Sequence, residues 1–333
     1  MELEGKTCIV TGGAGFIGSH LVDHLLEQNA SVRVIDNLIN GHVDNLGDAL
    51  KTSRCEIVEL DIGKASEEDK VFAGVDFVLH LACLGVRHSI VSPLENHRVN
   101  ALGTLNLLQI CRSKGIKRIL HCSSSEIYGS ATTVPMKETH PARPHTIYGA
   151  SKLAGEAYAR AYHDCYGLDV TVVRPFNTYG PRSHFEGDAG EVIPKFSIRA
   201  MGGKELQIFG DGSNSRDFTY VEDMAVAMGL ALASDELIGQ TVNIGSGDDI
   251  SLNELAETII PLCGNCSATV GYTDARPGDV QRLQADVSLF ESLTGWKPEV
   301  SLQEGLRRTV EYFRNHPAGI DQMLSKETGR NWE

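Results

Sequence analysis

Thr11-Gly12-Gly13-Ala14-Gly15-Phe16-Ile17-Gly18 follows a short apolar run at residues 7–10 and opens an amphipathic stretch over residues 16–27. Strand, glycine-rich turn and helix in that order form the phosphate-binding corner of a dinucleotide fold. Gly12, Gly15 and Gly18 permit a tight turn and a close backbone approach to a pyrophosphate, with Phe16 and Ile17 beginning the helix. The helix N-terminus adds unpaired N–H groups and a positive dipole end. The same residues also suit a glycine-rich turn that holds nothing, so the surrounding pattern decides the reading.

That pattern is alternating. Strand-like runs recur at residues 31–36 (SVRVID), 55–60, 76–81 (DFVLHL), 118–123 (RILHCS) and 169–174 (DVTVVR), with helical periodicity over residues 100–114 and 145–166. Strands alternating with helices of this length predict an α/β fold: a doubly wound parallel sheet of the Rossmann type, with ligands at the C-terminal ends of the strands. After Pro175 the pattern loosens. Glycine, proline and charges crowd residues 180–217, and short strands are expected at 206–209 and 241–244. Ser301-Leu302-Gln303-Glu304 reads as a capping box opening a helix to about residue 315. We expect residues 1–175 to form a cofactor domain and residues 176–333 a smaller α/β substrate lobe, with some elements returning to the large domain.

The 333 residues are 41% hydrophobic and 22% charged, with a formal net charge of -14. Such an acidic chain lacks the basic surface that nucleic acid requires, although local arginines can still hold a small diphosphate. The longest apolar candidate, residues 71–86, carries Asp76 and His80, and the opening Met1-Glu2-Leu3-Glu4-Gly5-Lys6 has no signal-peptide pattern. These features predict a cytoplasmic protein without a membrane partner. The eight cysteines read as reduced thiols. Cys263-Gly264-Asn265-Cys266 has zinc-like spacing but lacks a second Cys/His half, so no metal is expected.

Asp36 ends the second strand, where a carboxylate can accept both ribose hydroxyls of an adenosine. It would repel a 2′-phosphate, and Asn37-Leu38-Ile39 offers no arginine to hold one. The expected cofactor is therefore NAD. Asp61-Ile62, ending the third strand, is placed to contact adenine, although Asp61 reads nearly as well as a loop-capping carboxylate.

Far downstream, Tyr148-Gly149-Ala150-Ser151-Lys152 puts a phenol and an amine one helical turn apart on one face. A free phenol titrates near about 10, and a neighbouring ammonium lowers that value. Ser123-Ser124-Ser125-Glu126-Ile127-Tyr128-Gly129 supplies hydroxyls and a carboxylate just past the fifth strand. Tyr148, Lys152 and Ser124 together suit proton removal from an alcohol while a hydride leaves. A bare Y-x-x-x-K is weak; its order after the glycine loop, Asp36 and the serine run is specific.

These motifs, with His80-Leu81-Ala82, RPFNTYGPR, RDFTYVED and RPGDV, resemble the extended short-chain dehydrogenase/reductases that modify nucleotide sugars. The resemblance covers nearly the whole chain. It implies NAD, a nucleotide-diphosphate sugar and a transient 4-keto sugar, with Ser124, Tyr148 and Lys152 catalytic and Leu81, Ala82, Asn100 and Pro175 lining the cofactor pocket. It assigns Asn177, Arg216 and Arg276 to the diphosphate, Asp279 to the nucleotide ribose, Val192 and Lys195 to a helix beside the nucleotide, and Gln207 to the edge of the base. Arg182 and Arg282 read as surface ion pairs. A homodimer through the helices 100–114 and 145–166 is also implied.

The family branches differ in what the 4-keto sugar does next. Glu126 is similar to the glutamate of many 4,6-dehydratases and decarboxylases, but Ser125 stands where the commonest dehydratase pattern has an aspartate. Leu283 aligns with an arginine expected near a departing carboxylate, with Arg282 adjacent. Gly85-Val86-Arg87 and RPGDV look epimerase-like, and Arg87 can reach a hexuronate carboxylate. The leading expectation is a 4-epimerase of a UDP-hexose or UDP-hexuronate. A 4,6-dehydratase with Glu126 as base comes next, then a UDP-glucuronate decarboxylase. A non-enzymatic NAD-binding regulator would typically lack the Tyr/Lys pair.

Overall fold

The computed structural model describes residues 2–264, 268–276 and 278–329. In chain order the first half runs β1 (Thr7–Thr11), α1 (Phe16–Glu27), β2 (Ser31–Asp36), β3 (Cys55–Glu59), β4 (Phe77–His80), α2 (Val86–Val91), α3 (Pro93–His97), α4 (Gly103–Lys114), β5 (Arg118–Cys122), α5 (Ile147–Tyr166) and β6 (Asp169–Pro175). The second half adds β7 (Asn177–Tyr179), α6 (Val192–Met201), β8 (Leu206–Phe209), β9 (Ser215–Tyr220), α7 (Val221–Ala233), β10 (Thr241–Ile244), β11 (Asp249–Ser251), α8 (Leu252–Leu262), β12 (Val270–Thr273), β13 (Arg282–Leu283), α9 (Ser288–Thr294), α10 (Leu302–Arg314) and α11 (Gly319–Lys326).

Seven strands form one sheet in the order β10-β6-β5-β4-β1-β2-β3, and every neighbouring pair is parallel. Its strands are near-continuous apolar runs because both faces are covered. One face packs Leu21, Leu25, Met224 and Met228 of α1 and α7 against Val10, Val34 and Leu79. The other packs Leu107, Cys111, Ala159 and Tyr162 of α4 and α5 against Ile9, Val78 and Ile119. Chain order reverses between β1 and β4, which creates the crevice where ligands enter such sheets.

The seventh strand, β10, arrives only after the chain has left through β7, α6, β8 and β9 and come back through α7. Two small sheets, one built on β9 and one pairing β8 with β12, surround a separate core of Ile193, Phe196, Leu206, Leu255, Leu306 and Val310. Among the described residues, no helix is long and apolar enough to cross a membrane.

Two local expectations shift. The helix expected from residue 100 starts as a π-helical turn, Arg98–Leu102, before α4. Ser301 caps α10 by accepting the Glu304 N–H at 3.3 Å, but Glu304 does not reciprocate, because its carboxylate holds Arg307 and Arg308. The full capping box is instead Ser251 with Glu254, on α8. Cys263 is buried, while its expected companion Cys266 lies outside the described residues.

Candidate active site

One cavity of about 480 Å³ runs along the C-terminal edge of the large sheet and under the small sheets. The glycine loop is packed to its limit there. Gly12 has φ 70°, and a Cβ on it would stand 2.8 Å from the Ala82 nitrogen. A Cβ on Gly18 would strike the Gly12 carbonyl. Gly15 caps α1 with no side chain, so the first N–H groups of the helix have no side-chain cap.

Asp36 ends β2 nearly buried, accepting the Ala14 N–H at 3.0 Å and the Leu38 N–H at 2.9 Å. Each oxygen takes one backbone donor and keeps capacity for a diol. Burial raises its pKa, and the Leu38 and Ala14 N–H groups pull in the other direction. Asp61 caps its own loop through the Gly63 N–H at 2.9 Å, and it also lines the cavity with Asn37 and Ile62. A glycine turn with no room for a Cβ at Gly12 or Gly18, an uncapped helix N-terminus and a carboxylate ending β2 fit a dinucleotide carrying a free 2′-hydroxyl.

At the other end of the cavity Thr146 caps α5, accepting the Gly149 N–H at 3.1 Å. Gly149 seats the helix on the Glu126 carbonyl, where a Cβ would stand 2.6 Å away. Tyr148 and Lys152 thereby meet the serine run. Lys152 Nζ donates to the Cys122 carbonyl at 2.8 Å. Ser124 Oγ accepts the Glu126 N–H at 3.2 Å and is hydrogen-bonded to Tyr148. The expected lowering of the Tyr148 pKa is not found in the protein alone. Burial raises it well above 10.0, Cys83 adds to the rise, and only the Ser124 hydrogen bond opposes it among the leading influences. Desolvation of the phenolate outweighs the nearby ammonium, which is engaged with a carbonyl.

The substrate-side residues gather on the same cavity: Arg87, Ser125, Asn177, Val192, Lys195, Gln207, Arg216, Arg276 and Asp279. Asn177 Oδ1 is buried without a hydrogen-bond partner, as a ligand contact would leave it. Asp279 binds both Arg216 (2.9 Å) and Arg276, and accepts from Asn214 at 3.0 Å. Arg87 makes no ion pair among the described residues; burial and the Arg276 charge lower its pKa to about 10. Lys195 is tied to Glu327 at 3.0 Å and to the Thr328 carbonyl. Arg182 pairs with Asp23 and Arg282 with Asp249, as surface ion pairs.

Asn100 differs from its expected place. It does not line the cavity; its amide bridges the Leu84 N–H (2.8 Å) and C=O (2.9 Å) and reaches Ser151, anchoring the loop after β4 to α5. Cys83, which follows the HLA motif, also lines the wall, as does Glu191, just ahead of the helix expected beside the nucleotide, its carboxyl pushed up by burial to about 8.

The model of the NAD dependent epimerase/dehydratase family matches residues 8–245. This chain belongs to that family. It is an NAD-dependent enzyme. It is 39% identical over 311 residues to a putative UDP-glucose 4-epimerase of Methanocaldococcus jannaschii, covering 92% of this chain and 98% of the relative. The solved UDP-N-acetylglucosamine 4-epimerase of Methanobrevibacter ruminantium is 36% identical, with a TM-score of 0.87 over 93% of this chain and 98% of that one. An NAD-bound dTDP-glucose 4,6-dehydratase of Streptomyces venezuelae is 34% identical, with a TM-score of 0.88 over 93% and 97%.

Proposed function

We propose that the enzyme is a nucleotide-diphosphate-sugar 4-epimerase, with UDP-hexoses or UDP-hexuronates as the substrate class. The observation that carries this reading is the neighbourhood of Tyr148. One carboxylate, Glu126, lines the cavity beside Ser124, and its neighbour Ser125 is a buried hydroxyl rather than a second acid. Elimination of the 6-hydroxyl is best served by both a base and an acid at the sugar. Decarboxylation finds no support in Arg282, which is exposed on Asp249, or in Leu283, which is buried.

Tyr148 takes the proton of the sugar 4-hydroxyl, Ser124 holds the same oxygen, and Lys152 holds the phenol and the nicotinamide ribose. Gly12, Gly15, Phe16, Ile17, Gly18, Asp36, Asn37, Asp61, Ile62, Leu81, Ala82 and Pro175 would hold NAD, which would supply the hydride acceptor and donor. Asn177, Arg216 and Arg276 hold the diphosphate, Asp279 the ribose, and Val192, Lys195 and Gln207 flank the base. Residues 1–175 then form the cofactor domain and 176–333 the substrate lobe, with α7 and β10 given back to the cofactor domain. We further propose a cytoplasmic homodimer. Val91 (59% exposed), Leu94 (73%) and Leu102 (53%) leave an apolar face between α2 and α4 for a second copy to cover.

Product analysis in D₂O from a panel of UDP-, GDP-, CDP- and dTDP-sugars tests the reaction. An isomer of unchanged mass without deuterium is expected. A product lighter by water with deuterium at C6 would identify a dehydratase. Glu126→Gln adds a second arm: a simple epimerase keeps most of its rate, whereas general acid–base work by Glu126 would cost about a hundredfold or more.

A further inference from the structure

His42, His184 and Glu186 meet at the mouth of the cavity from two different loops. His42 lies in the loop that follows Asp36 at the end of β2, and His184 and Glu186 lie between β7 and α6. One ligand-capable atom from each residue lies within 4.8 Å of the other two. His42 Nε2 stands 3.1 Å from Glu186 Oε1, and the two imidazole centroids are 6.3 Å apart. The Glu186 carboxylate also accepts the Phe185 N–H at 2.9 Å.

Two imidazole nitrogens and one carboxylate oxygen form a donor set suited to zinc, with a fourth position left for water. We propose that His42, His184 and Glu186 bind one Zn²⁺, which staples the loop after β2 to the loop leading into α6. The staple would close on a partly built frame. The second loop is already held against α1 by Arg182 on Asp23 (2.7 Å) and by His20 Nε2 with the Pro181 carbonyl (3.0 Å). Little further ordering is needed on that side to bring the ligands together. His184 also lines the cavity, and Gly41, next to His42, packs against the Asp36 carboxylate, so the metal stands at the Asp36 end. Its role is to hold the mouth closed, not to take part in the chemistry.

The test uses NAD-loaded protein stripped with EDTA and titrated with ZnCl₂ by calorimetry. One equivalent is expected, and His42→Ala, His184→Ala and Glu186→Gln should each weaken it by at least about tenfold. Co²⁺ in place of zinc should give ligand-field bands without thiolate charge transfer, which separates this site from the cysteines. Zinc should slow amide exchange in residues 37–46 and 180–191 of the unmodified protein and not of Glu186→Gln. His42 is exposed, so His42→Ala should melt like the parent in EDTA and isolates ligation from folding. Absence of stoichiometric binding at micromolar protein, affinity indifferent to all three substitutions, or a cobalt–thiolate band would each overturn the proposal.

Discussion

Glu156 receives two arms of the Arg174 guanidinium, Nε at 2.9 Å and Nη2 at 2.8 Å, with its own carboxylate wholly removed from water. Glu156 follows Tyr148 and Lys152 at successive four-residue steps along α5, so one helix face carries the catalytic pair and the ion pair. Arg174 precedes Pro175, the last residue of β6 and part of the cavity wall, and also donates to the Tyr128 hydroxyl at 2.8 Å. The pair clamps the catalytic helix to the sheet.

Breaking the clamp should therefore cost both stability and rate. Glu156→Ala leaves a buried guanidinium without its main partner, and a loss of roughly 3–5 kcal/mol is expected in urea melts at neutral pH. Burial would raise the Glu156 pKa, but Arg174 prevails and holds it below 4.5. Its contribution is thus fully present above the unfolded value and fades as pH falls through the lower folded one. Melts of parent and variant should converge in acid.

Tyr148 should be silent as a base in the protein without cofactor or substrate. Burial holds its pKa well above 10.0, so the difference in tyrosinate absorbance between parent and Tyr148→Phe should show no ionisation below that pH. Tyr148→Phe should lower kcat by about a hundredfold to ten-thousandfold with NAD binding intact. A neutral-pH tyrosinate signal from this residue in the stripped protein would show that Lys152 dominates after all.

Asp36 should govern the choice of cofactor. Asp36→Ala removes the ribose acceptor and leaves the Ala14 and Leu38 N–H groups without their partner. NAD affinity should fall by roughly tenfold or more, and discrimination against NADP should relax. Equilibrium titration with both cofactors checks this.

Gly12 should tolerate no side chain. Gly12→Ala puts a Cβ 2.8 Å from the Ala82 nitrogen at φ 70°, so the loop must shift out of the position that approaches the pyrophosphate. NAD binding should weaken by about tenfold or more, while Gly5→Ala, at φ 69° with nothing within 4 Å of its Cβ, serves as the control for backbone strain alone.

The first half of this architecture was written in local signals. Strand hydrophobicity, the glycine turn and the four-residue spacing of Tyr148 and Lys152 depend on neighbours in sequence, and the elements at Phe16–Glu27 and Ser31–Asp36 fall where those signals put them. What the sequence could not show depends on distant partners. Glu304 follows a serine as a capping box requires, yet Arg307 and Arg308 outcompete the cap. Asn100 reads as a pocket residue until Leu84 and Ser151 claim its amide. The direction of the Tyr148 shift is set by burial, which spacing does not encode, and the meeting of His42 with Glu186 spans loops far apart in the chain.

The late arrival of β10 has a consequence for how the enzyme is made. The large sheet wants its seventh strand beside β6, but the ribosome delivers residues 176–240 before Thr241–Ile244. A nascent chain that has just released β6 exposes an unpaired edge and lacks α7, whose Met224 and Met228 cover α1. The cofactor half therefore cannot close while the other half is still unmade. A gene fragment ending at Pro175 should give insoluble product, and any division of this enzyme into separately expressed halves must cut somewhere other than the boundary its chemistry suggests.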